Sequence, residues 1–330
     1  MRAVGVRLSL SILLAAGAAT AADPLVQDLA DGRTGKIYFE SITPTGFIQL
    51  AKRQATQKTV IFGTLHLPKK ATGPMPAMVI AHGSAGVAER ESWWADHLND
   101  IGVAGFIVDS FTPRNIRDTS ADQTQLSTAA NVSDAFAALK LLATHPKIDP
   151  QRIGIIGFSK GGQVALWTEF EPYRHAIIGD QTKFAAHVPL YPACNDWQVT
   201  DHLTGGPMLM LLGGRDDYTP AAPCREYGQW LKSKGVDLNV IVYENAYHDF
   251  DSIRPPVRAK NVVTGRNCGM RFDVDRFVVT IRATGEDITR SVVAYSRGCQ
   301  ERGAMVGGDS EGRKKSPEDV KAFLKKVFTL

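Results

Sequence analysis

The chain has 330 residues, of which 44% are hydrophobic and 22% are charged. These proportions suit one globular domain with a large core, or one domain with a small insert. The formal charge of +4 falls by two, to +2, when Arg2 and Arg7 are removed, so charge gives no case for binding nucleic acid or an anionic membrane. No stretch reaches the roughly 18 consecutive apolar residues that a membrane-spanning helix needs.

The first residues have the order of a secretory signal peptide. Arg2 and Arg7 give a basic start, an apolar run follows over residues 8–19, and Ala19-Thr20-Ala21 offers small residues for cleavage. A core helix is the alternative, but the N-terminal position and the order of the parts favour the signal. The sequence therefore predicts a signal peptide over residues 1–21 and export to the periplasm or out of the cell.

Short apolar runs then alternate with segments of helical periodicity. The predicted strands are 37–39, 60–67, 77–81, 103–108, 153–156, 185–191, 208–212 and 240–243. The predicted helices are 92–99, 131–144, 225–234 and 320–328. This alternation predicts an α/β fold over residues 22–330, with a mainly parallel central sheet and helices on both faces.

Residues 251–312 break this rhythm. The region is rich in Arg, Gly and Asp, and it contains two pieces of alternating polarity, 277–281 and 291–295, with a turn signal at Gly285-Glu286-Asp287 between them. The pattern predicts an insert that resembles a β-hairpin and precedes the last helix.

The four cysteines are predicted to form disulfides, because an even number in an exported chain favours pairing. Cys194 follows the strand 185–191 and Cys224 follows the next strand, so neighbouring strand ends bring these two together. Cys268 and Cys299 flank the predicted hairpin, which favours the second pair. The sequence has no C-x-x-C motif and no nearby histidine pair that would indicate zinc, so it predicts neither a metal nor a cofactor.

Gly157-Phe158-Ser159-Lys160-Gly161 is the stretch that says most about function. It follows the buried strand 153–156 and precedes a segment that can start a helix. A serine on a sharp turn between strand and helix is a nucleophile elbow, the mark of an α/β-hydrolase. The glycines have a steric role, because side chains there would clash where strand and helix approach each other.

A serine nucleophile needs a base, an acid that orients the base, and donors that stabilise the oxyanion. In α/β-hydrolases the chain order is Ser, acid, His. The loop after strand 208–212 offers Asp216 and Asp217, and the loop after strand 240–243 offers His248. These loops should open on the carboxyl edge of the sheet, so residues that are distant in sequence can meet there.

Two backbone amides are expected to form the oxyanion hole. One belongs to Lys160, directly after the nucleophile, and the other belongs to the loop His82-Gly83-Ser84-Ala85-Gly86. The small residues of this loop let a carbonyl oxygen approach the backbone. We expect Ser84 to be the second donor and His82 to orient the loop.

With these parts in place, the chain resembles the dienelactone hydrolase family of α/β-hydrolases over about residues 36–252 and 303–328. The motifs that carry the resemblance are His82-Gly83-Ser84-Ala85-Gly86-Val87, Asp109-Ser110-Phe111-Thr112-Pro113-Arg114, Gly157-Phe158-Ser159-Lys160-Gly161-Gly162, Gly213-x-x-Asp216 with Thr219-Pro220, and Tyr247-His248-Asp249-Phe250-Asp251. The resemblance implies a triad of Ser159, Asp216 and His248, and the family spacing selects Asp216 over Asp217.

The chain departs from the resembled family at two places. Ser159 stands where dienelactone hydrolases have a cysteine, and His82-Gly83 stands where they have a glutamate near the oxyanion loop. The chain therefore looks like an exported branch of the family that uses a serine nucleophile.

The sequence as a whole predicts a carboxylic ester hydrolase that cleaves a small-molecule ester through an acyl-enzyme on Ser159. One alternative is an amidase or peptidase of the prolyl-oligopeptidase type, which shares the elbow. Another is a non-catalytic binding protein with the same fold. We expect no propeller-sized domain before residue 60, which disfavours the first alternative, and the complete triad disfavours the second.

Two further residues are candidates for substrate contact. Arg114 could meet a substrate carboxylate, and a surface pair with Asp118 is an equal alternative. Trp93 could line the acyl pocket, although a tryptophan at a helix start is more often part of the core. The sequence sets neither the acyl and alcohol groups nor the oligomeric state.

Overall fold

The computed structural model describes residues 24–70 and 73–330, and the signal peptide predicted over residues 1–21 lies outside them. The strands are β1 (Leu25–Val26), β2 (Gly35–Ile42), β3 (Lys58–His66), β4 (Met75–Ala81), β5 (Ala104–Asp109), β6 (Ile148–Phe158), β7 (His187–Leu190), β8 (Trp197–Val199), β9 (Met208–Gly213), β10 (Leu238–Tyr243), β11 (Val257–Thr264), β12 (Met270–Asp273), β13 (Val278–Ile281) and β14 (Glu301–Val306). The helices are α1 (Phe47–Ala51), α2 (Glu89–Asp100), α3 (Thr128–Leu142), α4 (Lys160–Trp167), α5 (Glu171–Ile177), α6 (Ala221–Ser233), α7 (Val292–Cys299) and α8 (Ser310–Phe328).

A nine-stranded sheet forms the centre of the described chain, in the order β1-β2-β3-β5-β4-β6-β7-β9-β10. Strand β3 runs antiparallel to its neighbours β2 and β5. The other neighbours in this sheet pair in parallel. Strands β4, β5, β7 and β9 are buried along their whole length, which explains their continuous apolar sequences. The predicted mainly parallel sheet is confirmed.

Helices cover both faces of this sheet. Along β4, Val79 belongs to one core cluster, whereas its neighbours Met78 and Ile80 belong to another. The reason is that successive side chains of a strand point to opposite faces. The first cluster includes buried side chains of α3, α4 and α6, and the second includes those of α2 and α8. The core therefore lies in two layers around the sheet, as predicted.

Residues 251–312 contain one hairpin, β12–β13, and further elements besides it. Strand β11 pairs antiparallel with β14, and β12 pairs antiparallel with β13. Strand β12 also pairs in parallel with β8, which belongs to the segment after β7. The predicted strand 277–281 corresponds to β13. The prediction of a partner strand over residues 291–295 is wrong, because most of this segment belongs to helix α7.

The residues of helix α7 that pack on the core follow a helical spacing, although their sequence also fits the alternation of a strand. Val292 and Tyr295 both pack against the larger core cluster, and Ser296 lines a cavity together with Val292. Residues three and four positions apart share one face of a helix. The last helix also differs from its prediction, since α8 begins at Ser310 and not near residue 320.

Both predicted disulfides are present. The Cα atoms of Cys194 and Cys224 are 4.9 Å apart, and those of Cys268 and Cys299 are 5.1 Å apart. The first bond joins the segment after β7 to α6, and the second joins the loop before β12 to the end of α7. Among the helices of the described residues, none has the length and apolar composition required to cross a membrane.

Candidate active site

Ser159 lies at the sharp turn between β6 and α4. Its backbone angles, φ 54° and ψ −111°, lie in a region that residues with side chains rarely adopt. A Cβ atom on Gly161 would lie 2.0 Å from the carbonyl oxygen of Ala81, and one on Gly157 would lie 2.0 Å from that of Gly161. Strand and helix therefore approach so closely that both positions require glycine.

The structure brings Ser159, His248 and Asp216 into one hydrogen-bonded line. Oγ of Ser159 is 2.9 Å from Nε2 of His248, and Nδ1 of His248 is 2.8 Å from Oδ2 of Asp216. His248 comes from the loop after β10 and Asp216 from the loop after β9, in the chain order that the sequence predicts. These distances allow a proton to pass from the serine hydroxyl to the imidazole.

Asp216 is fixed by three donors besides His248. Its Oδ1 accepts from the backbone N–H groups of Tyr218 and Thr219, each at 2.8 Å, and its Oδ2 accepts from the hydroxyl of Thr219 at 2.9 Å. Burial opposes protonation of His248, but the charge and hydrogen bond of Asp216 outweigh burial and raise the pKa of His248. The aspartate thus sets both the orientation and the basicity of the imidazole.

Asp217 points away from this line and contacts the insert. Its Oδ1 accepts from the N–H group of Met305 in β14 at 2.6 Å, and its Oδ2 lies 3.5 Å from the guanidinium of Arg266. Just beyond β14, Gly307 donates its N–H group to the carbonyl oxygen of His248 at 2.8 Å. Strand β14 and the residues just after it are therefore hydrogen-bonded to the loops that follow β9 and β10.

The loop after β4 approaches the nucleophile through Gly83, where a Cβ atom would lie 3.6 Å from the Cβ atom of Ser159. Next to it, Nδ1 of His82 lies 2.8 Å from the carbonyl oxygen of Gly83, and Nε2 accepts from the N–H group of Ser110 at 3.2 Å. His82 therefore carries its proton on Nδ1. Burial lowers the pKa of His82, so the neutral ring joins this loop to the end of β5.

Lys160 occupies the first position of α4, where a backbone N–H group has no partner within its own helix. Its side chain is buried, and Nζ donates to the carbonyl oxygen of Leu126 at 2.8 Å and to Oε1 of Gln123 at 3.3 Å. Burial lowers the pKa of Lys160 to about 8. Gln123 also donates to Oγ of Ser84 at 2.9 Å, so this amide side chain, which the sequence interpretation missed, links the two expected oxyanion residues.

A buried polar network supports the loop that carries His248, and its central members were also missed from the sequence. Arg90 forms an ion pair with Asp249 at 2.8 Å. The hydroxyl of Tyr191 donates to Asp251 at 2.6 Å, and its ring centroid lies 4.7 Å from that of His248. The two aspartates that follow the histidine are thus anchored by Arg90 of α2 and by Tyr191, which lies directly after β7.

Ser159 opens into a cavity of about 680 Å³, which is within the usual size range of small-molecule sites. Phe47 and Trp167 contribute to its wall, and so do Met270 and Val279 of the insert. Both expected oxyanion residues also contribute to its wall. The described residues contain no group of three or more His, Cys, Asp or Glu side chains that could hold a metal ion.

The sequence matches the family model described as "Dienelactone hydrolase family" over residues 61–265. The chain belongs to the dienelactone hydrolase family. The matched region runs from β3 into the insert and includes Ser159, Asp216 and His248. Membership gives the chain the α/β-hydrolase fold and makes it a carboxylic ester hydrolase.

Individual relatives of this dienelactone hydrolase family member are distant. A Bradyrhizobium sp protein named "Probable 2-oxo-3-(5-oxofuran-2-ylidene)propanoate lactonase" is 24% identical over 203 residues, 56% of this chain and 79% of the relative. A Yersinia pestis protein named "Putative carboxymethylenebutenolidase" is 26% identical over 221 residues, 60% of this chain and 77% of the relative. The crystal structure named "Putative Dienelactone Hydrolase" from Klebsiella pneumoniae subsp. pneumoniae MGH 78578 superposes with a TM-score of 0.49 at 20% identity, covering 66% of this chain and 88% of that one.

The two residues predicted to contact substrate lie elsewhere in this family member. Arg114 forms a double ion pair with the buried carboxylate of Asp134, at 2.8 and 3.0 Å, and not with Asp118, and it does not line the cavity of Ser159. Trp93 packs against His97, at 4.2 Å between ring centroids, and lies outside the cavity of Ser159. Arg114 is held by the buried carboxylate of Asp134, and the position of α2 keeps Trp93 away from Ser159.

Proposed function

We propose that this protein is a serine esterase that cleaves a small-molecule carboxylic ester through an acyl-enzyme on Ser159. The observation that carries the proposal is the continuous line of hydrogen bonds from Ser159 through His248 to Asp216, at 2.9 and 2.8 Å. A serine in this setting has a base within reach, and the base has a fixed orientation.

In the first half of the reaction, Oγ of Ser159 attacks the ester carbonyl carbon while Nε2 of His248 takes the hydroxyl proton. The carbonyl oxygen becomes an oxyanion, which the amides of Lys160 and Ser84 stabilise by hydrogen bonding. The bond to the alkoxy group then breaks, and the imidazolium returns its proton to this leaving group. The alcohol departs, and the acyl group remains on Ser159.

In the second half, a water molecule attacks the acyl carbon, and His248 takes one of its protons. The bond between the acyl carbon and Oγ of Ser159 then breaks, and the proton returns to the serine. The carboxylic acid leaves, and Asp216 stabilises the imidazolium in both halves without itself taking a proton.

We also propose that the protein is exported. Support comes from the signal peptide predicted over residues 1–21 and from the two disulfides, Cys194–Cys224 and Cys268–Cys299. Disulfides persist in oxidising compartments such as the periplasm and the extracellular space.

A fluorophosphonate probe and a Ser159→Ala variant test the mechanism. We expect the probe to label Ser159 of the wild type and the substitution to lower ester turnover by about 10⁴–10⁶-fold. Ser233 is an exposed helix serine, so Ser233→Ala is the matched control and should keep both labelling and turnover. Ser159→Ala that folds normally and retains more than about a tenth of wild-type turnover would contradict the assignment.

The alternative hypothesis of an amidase or peptidase is tested with two substrates that share one acyl group, a 4-nitrophenyl ester and a 4-nitroanilide. We expect turnover of the ester and little turnover of the anilide. A higher kcat/KM for the anilide than for the ester would favour the amidase hypothesis instead.

A further inference from the structure

The cavity beside Ser159 is formed by parts of the chain that are distant in sequence. Phe47 comes from α1 and Trp167 from α4, whereas Met270, Phe272 and Val292 come from the insert. Aromatic and aliphatic side chains from these parts of the chain thus line a space of about 680 Å³. A substrate group that fills this space must be bulky and largely apolar, because the hydrophobic effect favours burial of apolar surface.

The polar side chains of the wall are mainly neutral amides and hydroxyls. They include Gln49, Gln163, Asn195, Gln198, Ser296 and Gln300. Such groups donate and accept hydrogen bonds without carrying charge, so they can orient an uncharged polar substituent. Among the described wall residues, the charged side chains are Lys160 and Asp196, and none is an arginine.

These two charges give an anion little to bind. Nζ of Lys160 already donates to Leu126 and Gln123, and burial lowers its pKa to about 8. Burial raises the pKa of Asp196 to about 6, so this carboxylate is ionised at pH 8 and repels an anionic group. Arg114, whose fork would suit a substrate carboxylate, is held by Asp134 outside the cavity.

We propose that the substrate is an uncharged ester that carries a bulky, largely apolar acyl or alkoxy group, which is bound between the core and the insert. This inference rests on the proposed function, because the ester must be cleaved by Ser159. It also gives the insert a role, since Met270, Phe272 and Val292 form the wall that would select the substrate.

The first test compares size and charge on the acyl side. For the 4-nitrophenyl esters, we expect kcat/KM for 3-phenylpropanoate to exceed that for acetate by at least about tenfold. The 3-(4-carbamoylphenyl)propanoate and 3-(4-carboxyphenyl)propanoate esters have nearly the same shape and differ in charge. We expect the carboxylate ester to react at least about tenfold more slowly.

The alcohol side is tested in the same way. Methyl acetate is compared with 1-naphthyl acetate, and 4-carbamoylphenyl acetate with 4-carboxyphenyl acetate, each rate being divided by that of uncatalysed hydrolysis. A preference for the bulky ester on either side, together with no preference for the carboxylate in either charge pair, supports the inference. Equal rates within both size pairs, or a preference for the carboxylate within either charge pair, would overturn it.

The second test narrows the cavity from the insert. Val292→Trp should lower kcat/KM for the preferred bulky ester by at least about tenfold and leave the rate with the smallest ester within about threefold. Val293, the next residue of α7, is 59% exposed, so Val293→Trp is the matched control and should change neither rate. Equal losses on both esters would indicate a folding defect, which a thermal melt of each variant detects. An unchanged rate with the bulky ester in a folded Val292→Trp variant overturns the inference.

The two proposals fail in different ways. If no ester is cleaved, or if cleavage persists in the folded Ser159→Ala variant, the proposed function is wrong. If cleavage depends on Ser159 but responds to neither size nor charge, only the inference about the substrate is wrong.

Discussion

Two adjacent aspartates, Asp216 and Asp217, have opposite surroundings. Asp216 is buried and accepts hydrogen bonds from His248 and Thr219, whereas Asp217 is half-buried and contacts Met305 and Arg266 of the insert. Side chains one residue apart point in different directions, so they cannot both orient one imidazole.

We therefore expect Asp216→Asn to lower kcat by about 10⁴-fold, because the amide favours the wrong tautomer of His248. Asp217→Asn should keep most of the activity, since its amide oxygen can still accept from the N–H group of Met305. Steady-state kinetics on purified, folded variants measure both. The reverse ranking would mean that Asp217 orients the histidine.

The pH dependence of kcat/KM reports the state of His248 in the free enzyme. The protonated imidazole cannot accept the proton of Ser159, and Asp216 raises the pKa of His248 above its ordinary value of 6.5. Activity should therefore be lost as the pH falls, with a midpoint above 6.5. A profile from about pH 5 to about pH 9 with no acidic limb, or with a midpoint well below that of a free histidine, would contradict this.

At the scale of residues, the sequence could identify the members of a motif but not the side chains that hold those members in place. Ser159 and His248 follow strands at recognisable spacings. Arg90 and Gln123 carry no such signal, because their roles depend on contacts with Asp249 and Ser84 that only the folded chain creates. The partner of Arg114 is not predictable from the sequence for the same reason, since Asp134 lies on a helix packed against it.

At the scale of elements, the approach of α4 to β4 leaves no space at Gly161. We expect Gly161→Ala to destabilise the protein by roughly 1–3 kcal/mol, because a Cβ atom 2.0 Å from the carbonyl oxygen of Ala81 must push the helix away. Gly179 has no neighbour within 4 Å of its Cβ position, so Gly179→Ala is the matched control and should change stability by less than about 0.5 kcal/mol. Denaturant unfolding measures both, and equal stabilities would refute the steric argument.

Buried strands were predictable as elements because they are continuous apolar runs, as in β4 and β9. Helix α7 was not, because a segment such as Ser291-Val292-Val293-Ala294-Tyr295 is rich in β-branched residues and short enough to fit either pattern. Its conformation is favoured by contacts outside the segment, including the disulfide at Cys299 and the packing of Val292 on the core.

At the scale of the whole molecule, each disulfide lies beside a wall of the cavity. Cys194 stands between Ala193 and Asn195, which both line the cavity, and Cys299 precedes Gln300, which lines it from the insert. This cavity could not be predicted from the sequence, because its walls come from segments hundreds of residues apart that only the fold assembles.

Removing the second bond by the double change Cys268→Ser and Cys299→Ser should lower the free energy of unfolding by about 2–4 kcal/mol, because a loop of the unfolded chain is no longer closed. Denaturant unfolding with and without reductant measures this loss. Reductant should lower the stability of the variant less than that of the wild type, since one bond remains. A variant as stable as the oxidised wild type would contradict the prediction.

The hydrogen bond from Gly307 to the carbonyl oxygen of His248 limits how this chain can be recombined with its relatives. A chimera that replaces residues 251–312 as a cassette would separate His248 from the backbone group that holds its loop. Exchange points placed before β9 and after α8 keep Asp217, His248 and Gly307 together. The insert and the last two strands of the central sheet, β9 and β10, therefore form one unit of exchange.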